Sequence, residues 1–178
     1  MRAINDSVLL QQLKDLPIAA QSAFAQACAI RIGGIGDEPL PETANRLRAT
    51  ALKIASDFIQ HGQIDRLAVR RVIQEFENLA ELDDDRVASA AYVIRHIESE
   101  DPQEAIWAAR RAHDAVDLLA QQDVEEFGPD SERALLAHQL VDSELECQAL
   151  DLSLLQKSLD SAWEIARRAK PYIRSNKI

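Results

Sequence analysis

The C-terminal part of the chain runs from Ser131 to Lys170 without a glycine or a proline. Within this stretch, mostly apolar residues recur at alternating intervals of four and three. They are Ala134, His138, Val141, Leu145, Gln148, Leu152, Leu155, Leu159, Ala162 and Ala166. This spacing is a heptad seam, typical of a helix that packs along its whole length. The sequence leaves open whether residues 131–170 form one long helix or two helices joined without an obvious break.

Glycine and proline divide the rest of the chain into shorter helical segments. The five glycines and six prolines fall almost entirely between stretches whose apolar residues recur at helical spacing. The clearest start is at Asp101, Pro102 and Glu104, which place a cap, a first-turn proline and a third-position acid in order. No stretch alternates apolar and polar residues as a half-buried strand does. We therefore predict an all-α fold, a compact bundle of six or seven helices with a long C-terminal helix as its spine.

Length and composition limit the class of protein. With 178 residues, of which 47% are apolar and 28% charged, the chain suits a single all-helical domain covering residues 1–178. Residues 1–10 lack the apolar run of a signal peptide, and no 18-residue apolar stretch occurs. Cys28 and Cys147 lie far apart and lack the spacing of a zinc site. The expectation is a cytoplasmic protein that does not enter a membrane and whose cysteines are reduced.

The charge distribution argues against nucleic acid and favours a basic partner. Thirty acidic and twenty basic side chains give a net charge of −10, which opposes binding to phosphate backbones. The acids concentrate in residues 72–104, with ten acids and two bases, and in residues 117–146, with nine acids and one base. The simpler explanation is that these are solvated helix faces. The functional explanation is a docking surface for a cationic protein.

The two tryptophans, Trp107 and Trp163, are amphipathic side chains that we expect at the edge of the core. Tryptophan is also enriched at the centres of protein interfaces, so both are candidates for partner contacts.

Motifs that would indicate an enzyme are missing from the sequence. There is no Gly-x-Ser-x-Gly elbow, no phosphate-binding glycine loop and no Cys/His pairing visible in the sequence. The glycines at positions 33, 34 and 36 follow a helix rather than a strand, and Asp37 and Glu38 come directly after them. We interpret them as a helix stop, and we predict no catalytic residues and no cofactor.

Each histidine is followed by an acid four residues later, a spacing that puts both side chains on one helix face. His113 and His138 lie at apolar-stripe positions, so the pairs His113 with Asp117 and His138 with Asp142 are the candidates for a helical-bundle metal site. In so acidic a chain, such pairs also arise as plain helix-stabilising contacts, and we favour that explanation. His96 falls off the apolar stripe of its helix, and we predict that it is solvated.

Three stretches carry a resemblance to a known family. They are Leu13, Leu16, Phe24, Cys28 and Arg31 near the N-terminus, the acid-then-Ala/Ile-rich segment from Asp84 to Ile97, and the run from Glu144 to Leu152. In these stretches the chain resembles the YjaG-like family of all-helical bacterial cytoplasmic proteins, which has no assigned activity. The resemblance implies an all-α fold and supplies no catalytic residues.

The leading functional hypothesis is a noncatalytic protein-binding module with an acidic docking surface, for example an inhibitor or immunity-type protein. One alternative is a metal-binding helical-bundle protein or enzyme that uses His113, Asp117, His138 and Asp142. A second alternative is a structural homodimer formed through the C-terminal seam. Leu136, Leu140, Leu150 and Leu154 widen the seam, which favours packing inside the chain's own bundle over packing against a second copy.

Overall fold

The structure, a computed structural model, describes the backbone of residues 5–36, 38–128, 132–158 and 160–172. The side chains of residues 123, 126, 127 and 132–138 lie outside the described part as well. The described residues contain helices and no strands. The eight α-helices are α1 Asp6–Leu13, α2 Ile18–Arg31, α3 Glu42–His61, α4 Arg66–Glu77, α5 Asp85–Ser99, α6 Pro102–Phe127, α7 Glu132–Lys157 and α8 Ser161–Arg168. Two 3₁₀ turns, Ile32–Gly34 and Ala80–Asp83, lie after α2 and before α5.

Side-chain caps fix where several helices begin. Asp65, Asp84 and Asp101 each accept a hydrogen bond from a backbone N–H in the first turn of α4, α5 and α6 respectively, which satisfies donors that the helix itself leaves free. At the other end of α3, Gly62 adopts φ of 67°, a left-handed conformation that glycine takes without a steric penalty. The cap at Asp101 confirms the predicted helix start at Asp101 and Pro102.

The centre of the bundle is α2. Every residue from Ala20 to Ala29 is buried, and α2 contacts α3, α5, α6, α7 and α8. A helix that is buried on all sides has to be surrounded by other elements, and the alanines of α2 let these neighbours approach closely. The inward-facing amide of Gln26 donates to the carbonyl of Leu52 at 2.7 Å and to Ser56 Oγ at 2.6 Å, so this buried amide nitrogen is hydrogen-bonded.

The all-helical class is confirmed, but the predicted helix number and the C-terminal spine are wrong. There are eight α-helices in the described residues, and the last one has only eight residues. α7, a helix of 26 residues, packs against α6, and α8 packs against α2. The break lies where Ser158, Asp160 and Ser161 come together, small polar residues that favour turns over helix interiors. Leu159, the seam residue at the break, lies outside the described residues.

Most of the described seam is used inside the chain itself. Val141, Gln148, Leu152 and Leu155 on α7 are buried, as are Ala162 and Ala166 on α8. The heptad spacing continues across the break, and this is why the sequence left open whether residues 131–170 form one helix or two; the structure has two. No described helix combines the length and the apolarity needed to cross a membrane.

Candidate functional site

A network of charged side chains lies inside the bundle, where α2 ends. The Nε and Nη2 atoms of Arg31 donate to the two carboxylate oxygens of Glu144 at 2.7 and 2.9 Å. Its Nη1 donates to Asp151 Oδ2 at 2.8 Å. All three side chains are buried. Arg31 therefore fixes the C-terminal end of α2 to two residues of α7 that lie about two helical turns apart.

Three further side chains complete this network. Gln148 Nε2 donates to Glu144 at 2.9 Å and to the carbonyl of Ala109 at 3.2 Å. The Tyr172 hydroxyl donates to Glu144 at 3.0 Å, and Arg168 forms an ion pair with Asp151. With two arginines and two carboxylates, the network is electrically neutral. A buried charge is tolerable only when it is paired and hydrogen-bonded, and here both carboxylates are.

The pKa values of the network follow from its burial and its charges. Burial by itself lowers the pKa of Arg31, but Cys28, Glu144 and Asp151 raise it by more, so that its pKa is raised overall. Burial, followed by the Glu144 carboxylate, raises the pKa of Tyr172. Burial also raises the pKa of the Cys28 thiol well above its ordinary value, and Cys28 Sγ lies 3.2 Å from Arg31 Nη2. These groups keep fixed protonation states near neutral pH, so the network acts as a structural clasp.

The sequence prediction placed Glu144 in an acidic surface stretch, but the structure places it inside. The signal that could have located it is the spacing of Glu144, Gln148 and Asp151, which fall on one helix face. Arg31, the guanidinium on α2 that Glu144 and Asp151 share, is separated from them by more than a hundred residues, and this pairing cannot be read from local spacing.

The predicted acidic stretches are also partly neutralised on the surface. Arg66 and Arg70 of α4 pair with Glu98 and Glu100 at the end of α5, so the basic fourth helix neutralises its acidic neighbour. The acids that keep no ion pair with an arginine or lysine among the described side chains include Asp83 and, on α6, Asp114 and Asp117. Other exposed acids of the two stretches without such an ion pair lie on α4 and α7, at Glu75, Asp142 and Glu146. The acidic surface is therefore narrower than the sequence count indicates, but it is not confined to α6.

The outer face of α6 carries two large, solvent-exposed apolar side chains. Trp107 is 39% exposed and Leu118 is 52% exposed. Eleven residues correspond to about three helical turns, so both lie on the same face, roughly 16 Å apart. We call this face, together with the adjoining residues 83–86 and Tyr92, the α6 surface.

The first of two hollows on the α6 surface lies beside Trp107. It has a volume of about 310 Å³ and is lined by Tyr92, Trp107, Arg110, Arg111 and Asp114. The Tyr92 and Trp107 rings are 5.4 Å apart in a tilted arrangement, a favourable geometry for an aromatic pair. This packing holds the exposed indole in place.

The second hollow lies beside Leu118 and has a volume of about 260 Å³. It is lined by Ile35, Gly36, Asp83, Asp84, Asp85, Arg86, Ala115, Leu118, Leu119 and Gln122. An ion pair of 3.0 Å between Arg111 and Asp85 separates the two hollows. The α6 surface therefore offers two recesses on either side of one ion pair.

The carboxyls around the second hollow differ in their pKa values. Burial raises the pKa of Asp84, but hydrogen bonds from Arg86 lower it by more, so that its pKa lies below the ordinary value. The pKa of Asp85 is raised, because burial outweighs the opposing effect of Arg111. Both remain close to the solvent, and neither is positioned against a nucleophile that would indicate catalysis among the described residues.

The four predicted metal ligands do not form a metal site among the described side chains. His113 Nδ1 lies 3.5 Å from Asp114 Oδ1, Asp117 accepts a hydrogen bond from Gln121 at 2.7 Å, and Asp142 is exposed on α7. The side chain of His138 lies outside the described residues. No group of three or more His, Cys, Asp or Glu among the described residues is arranged to hold a metal ion, and the metal site stays a prediction.

The prediction that His96 is solvated is wrong. His96 is fully buried, and its Nδ1 donates to the carbonyl of Asp101 at 2.9 Å. Burial lowers its pKa, and the carbonyls of Asp101 and Ile18 only partly oppose this. Because α5 is packed on several sides by α2, α3, α4 and α6, its buried face is wider than the apolar stripe suggests.

Comparison with known proteins gives no match: no protein-family model, no curated protein and no solved structure corresponds to this chain. The resemblance to the YjaG-like family stays a prediction.

Proposed function

We propose that this chain is a cytoplasmic, noncatalytic protein-binding module that docks a cationic protein on the α6 surface. The observation that carries the proposal is the pair of exposed side chains, Trp107 and Leu118, on one helix face beside two hollows. Tryptophan is the residue most often found as an energetic anchor of protein interfaces. Burial of a large exposed apolar side chain by a partner contributes favourable binding free energy in proportion to the apolar area that is removed from water.

The charge of the surface supports a cationic partner. Arg110 is paired with Asp6 and Arg111 with Asp85, so the arginines of this face are already neutralised. Asp83 and Asp117 lie at its borders without a cationic partner among the described side chains. Together with the net charge of −10, they attract a basic protein and repel an acidic one. An inhibitor or immunity-type protein that covers a basic site is one concrete form of this function.

A pull-down from the native lysate, followed by binding measurements with the purified partner, tests the proposal. The variants Trp107→Ala and Leu118→Ser are compared with Trp163→Ala and Leu150→Ser. The control residues lie on α8 and α7 and are exposed to the same extent, at 37% and 52%. We expect each α6 variant to weaken binding by more than about 1 kcal/mol, a more than fivefold rise in Kd, and the controls to leave it unchanged.

Salt dependence gives a second measurement. A partner attracted by carboxylates binds more weakly as the ionic strength rises, and we expect this loss with the wild-type chain. Equal loss of binding in the α6 variants and the control variants, or a Kd that does not change with salt, would contradict the proposal. Light scattering of the purified chain tests whether the partner is a second copy, as in the homodimer alternative.

A further inference from the structure

The hollow beside Leu118 has the size of a receptor for one side chain. Its volume of about 260 Å³ falls below the roughly 300–1,000 Å³ of pockets that bind whole small molecules. It opens on the same helix face as the exposed Trp107, within the α6 surface. A docked protein that covers this surface can therefore place a side chain in this recess.

The lining of this hollow is divided between apolar and acidic residues. Ile35, Ala115, Leu118 and Leu119 supply apolar surface. The segment 83–86 supplies three carboxylates and one guanidinium, a net charge of −2. An entering anion would be repelled, and a purely apolar group would remove the carboxylates from water without replacing their hydrogen bonds.

The guanidinium of this segment is already occupied. Arg86 donates through Nε and Nη2 to Asp84 and through Nη1 to the carbonyl of Glu38 at 3.0 Å. Asp85 is held by Arg111 from α6. Asp83, by contrast, is exposed and pairs with no cation among the described residues. The hollow therefore has an unneutralised carboxylate at its acidic end.

We infer that this hollow receives an arginine side chain of the partner, with the aliphatic stem against Leu118 and the guanidinium at Asp83. The inference rests on the proposed function and adds the anchor that the partner contributes. Arginine combines an apolar stem with a planar head that binds carboxylates through two parallel hydrogen bonds. It is less strongly hydrated than lysine and is the cation enriched at interface centres.

The probe for this inference is the peptide acetyl-Gly-Arg-Gly-amide, added to the ¹⁵N-labelled chain and followed by NMR. We expect saturable shifts of the backbone amides of Gly36, Asp85, Leu118 and Gln122, which line the hollow. The same peptide with citrulline, a neutral analogue of arginine, should cause no such shifts. Asp83→Asn should weaken the arginine peptide about two- to fivefold, the range of an ion pair at an exposed site, whereas Asp142→Asn on α7 should not.

Three outcomes would overturn the inference: equal shifts from the citrulline peptide, equal shifts from a lysine peptide, or unchanged affinity in Asp83→Asn. Circular dichroism of each variant shows that it is folded. The result is independent of the pull-down. If binding to the partner depends on Trp107 while the arginine peptide fails to bind, only the anchor is wrong. If the peptide binds but no partner depends on the α6 surface, the proposed function is wrong.

Discussion

Replacing Arg31 by methionine should destabilise the fold more than replacing any surface arginine. The substitution keeps an unbranched but shorter side chain, and it leaves Glu144 buried without a cation and Asp151 with Arg168 as its only described cation. Three hydrogen bonds to carboxylates are lost. A hydrogen bond to a charged group contributes about 1.5–3 kcal/mol net to stability, and such contributions are not additive within one network. Removing one partner of a buried ion pair costs about 3–5 kcal/mol in total, and we expect this loss in the free energy of unfolding.

Urea unfolding followed by circular dichroism measures this loss. With a slope of about 2 kcal/mol per molar urea, the midpoint should fall by roughly 2 M. Arg70→Met is the matched control, because Arg70 pairs with Glu98 at the surface and exposed pairs contribute at most about 1 kcal/mol. Lowering the pH should reduce the difference in unfolding free energy between Arg31→Met and wild type, because protonation removes the buried carboxylate charge that the substitution leaves without its arginine. A loss of unfolding free energy below about 1 kcal/mol, equal to that of Arg70→Met, would refute the structural role of the Arg31 network.

Three other predictions follow from buried groups and close contacts. The pKa of the buried His96 is below its ordinary 6.5, so below pH 6.5 the unfolded chain binds more protons than the folded chain. The free energy of unfolding should therefore decrease as the pH falls below 6.5, by up to about 1.4 kcal/mol per pH unit. Denaturation at pH 7.5 and 5.5 should show this slope reduced in His96→Asn and unchanged in His61→Asn. A Cβ at Gly34 would overlap the backbone carbonyl of Tyr172, whereas at Gly33 it would meet only the end of the Arg48 side chain. Thermal unfolding should therefore show a loss of about 1–3 kcal/mol for Gly34→Ala and a smaller one for Gly33→Ala. Iodoacetamide should leave Cys28 unmodified in the native chain, because its thiol is buried and its pKa is raised, and should modify it once urea unfolds the chain. Mass spectrometry after digestion measures the modification. Labelling of Cys28 in the native chain would contradict this prediction.

The helical class could be predicted because it depends on local patterns. Apolar spacing and capping residues such as Asp84 and Asp101 act within a few residues, and the structure uses both as caps. The sequence left open whether a break exists, and the break near Ser158 could not be located because the seam spacing continues through it, from Leu155 to Ala162. Periodicity shows which face of a helix is buried and does not show where one helix ends and the next begins.

For the candidate site, the sequence predicted the types of residue involved but not their arrangement. The sequence indicated an acidic surface and singled out Trp107, which is exposed on the α6 surface. It could not show which acids are neutralised, because pairs such as Arg70 with Glu98 and Arg31 with Glu144 join residues far apart in the chain. The burial of His96 likewise depends on the neighbours of α5 rather than on its own stripe.

The clasp has a consequence for the order in which this chain completes its fold during synthesis. Glu144 follows Arg31 by 113 residues, which a ribosome adds in about 6–23 s at 5–20 residues per second. During that interval the carboxylates of α7 have not yet been synthesised, so the guanidinium of Arg31 has no partner on α7 and the C-terminal end of α2 stays exposed to water. The innermost helix of this protein is therefore among the last to be fully enclosed.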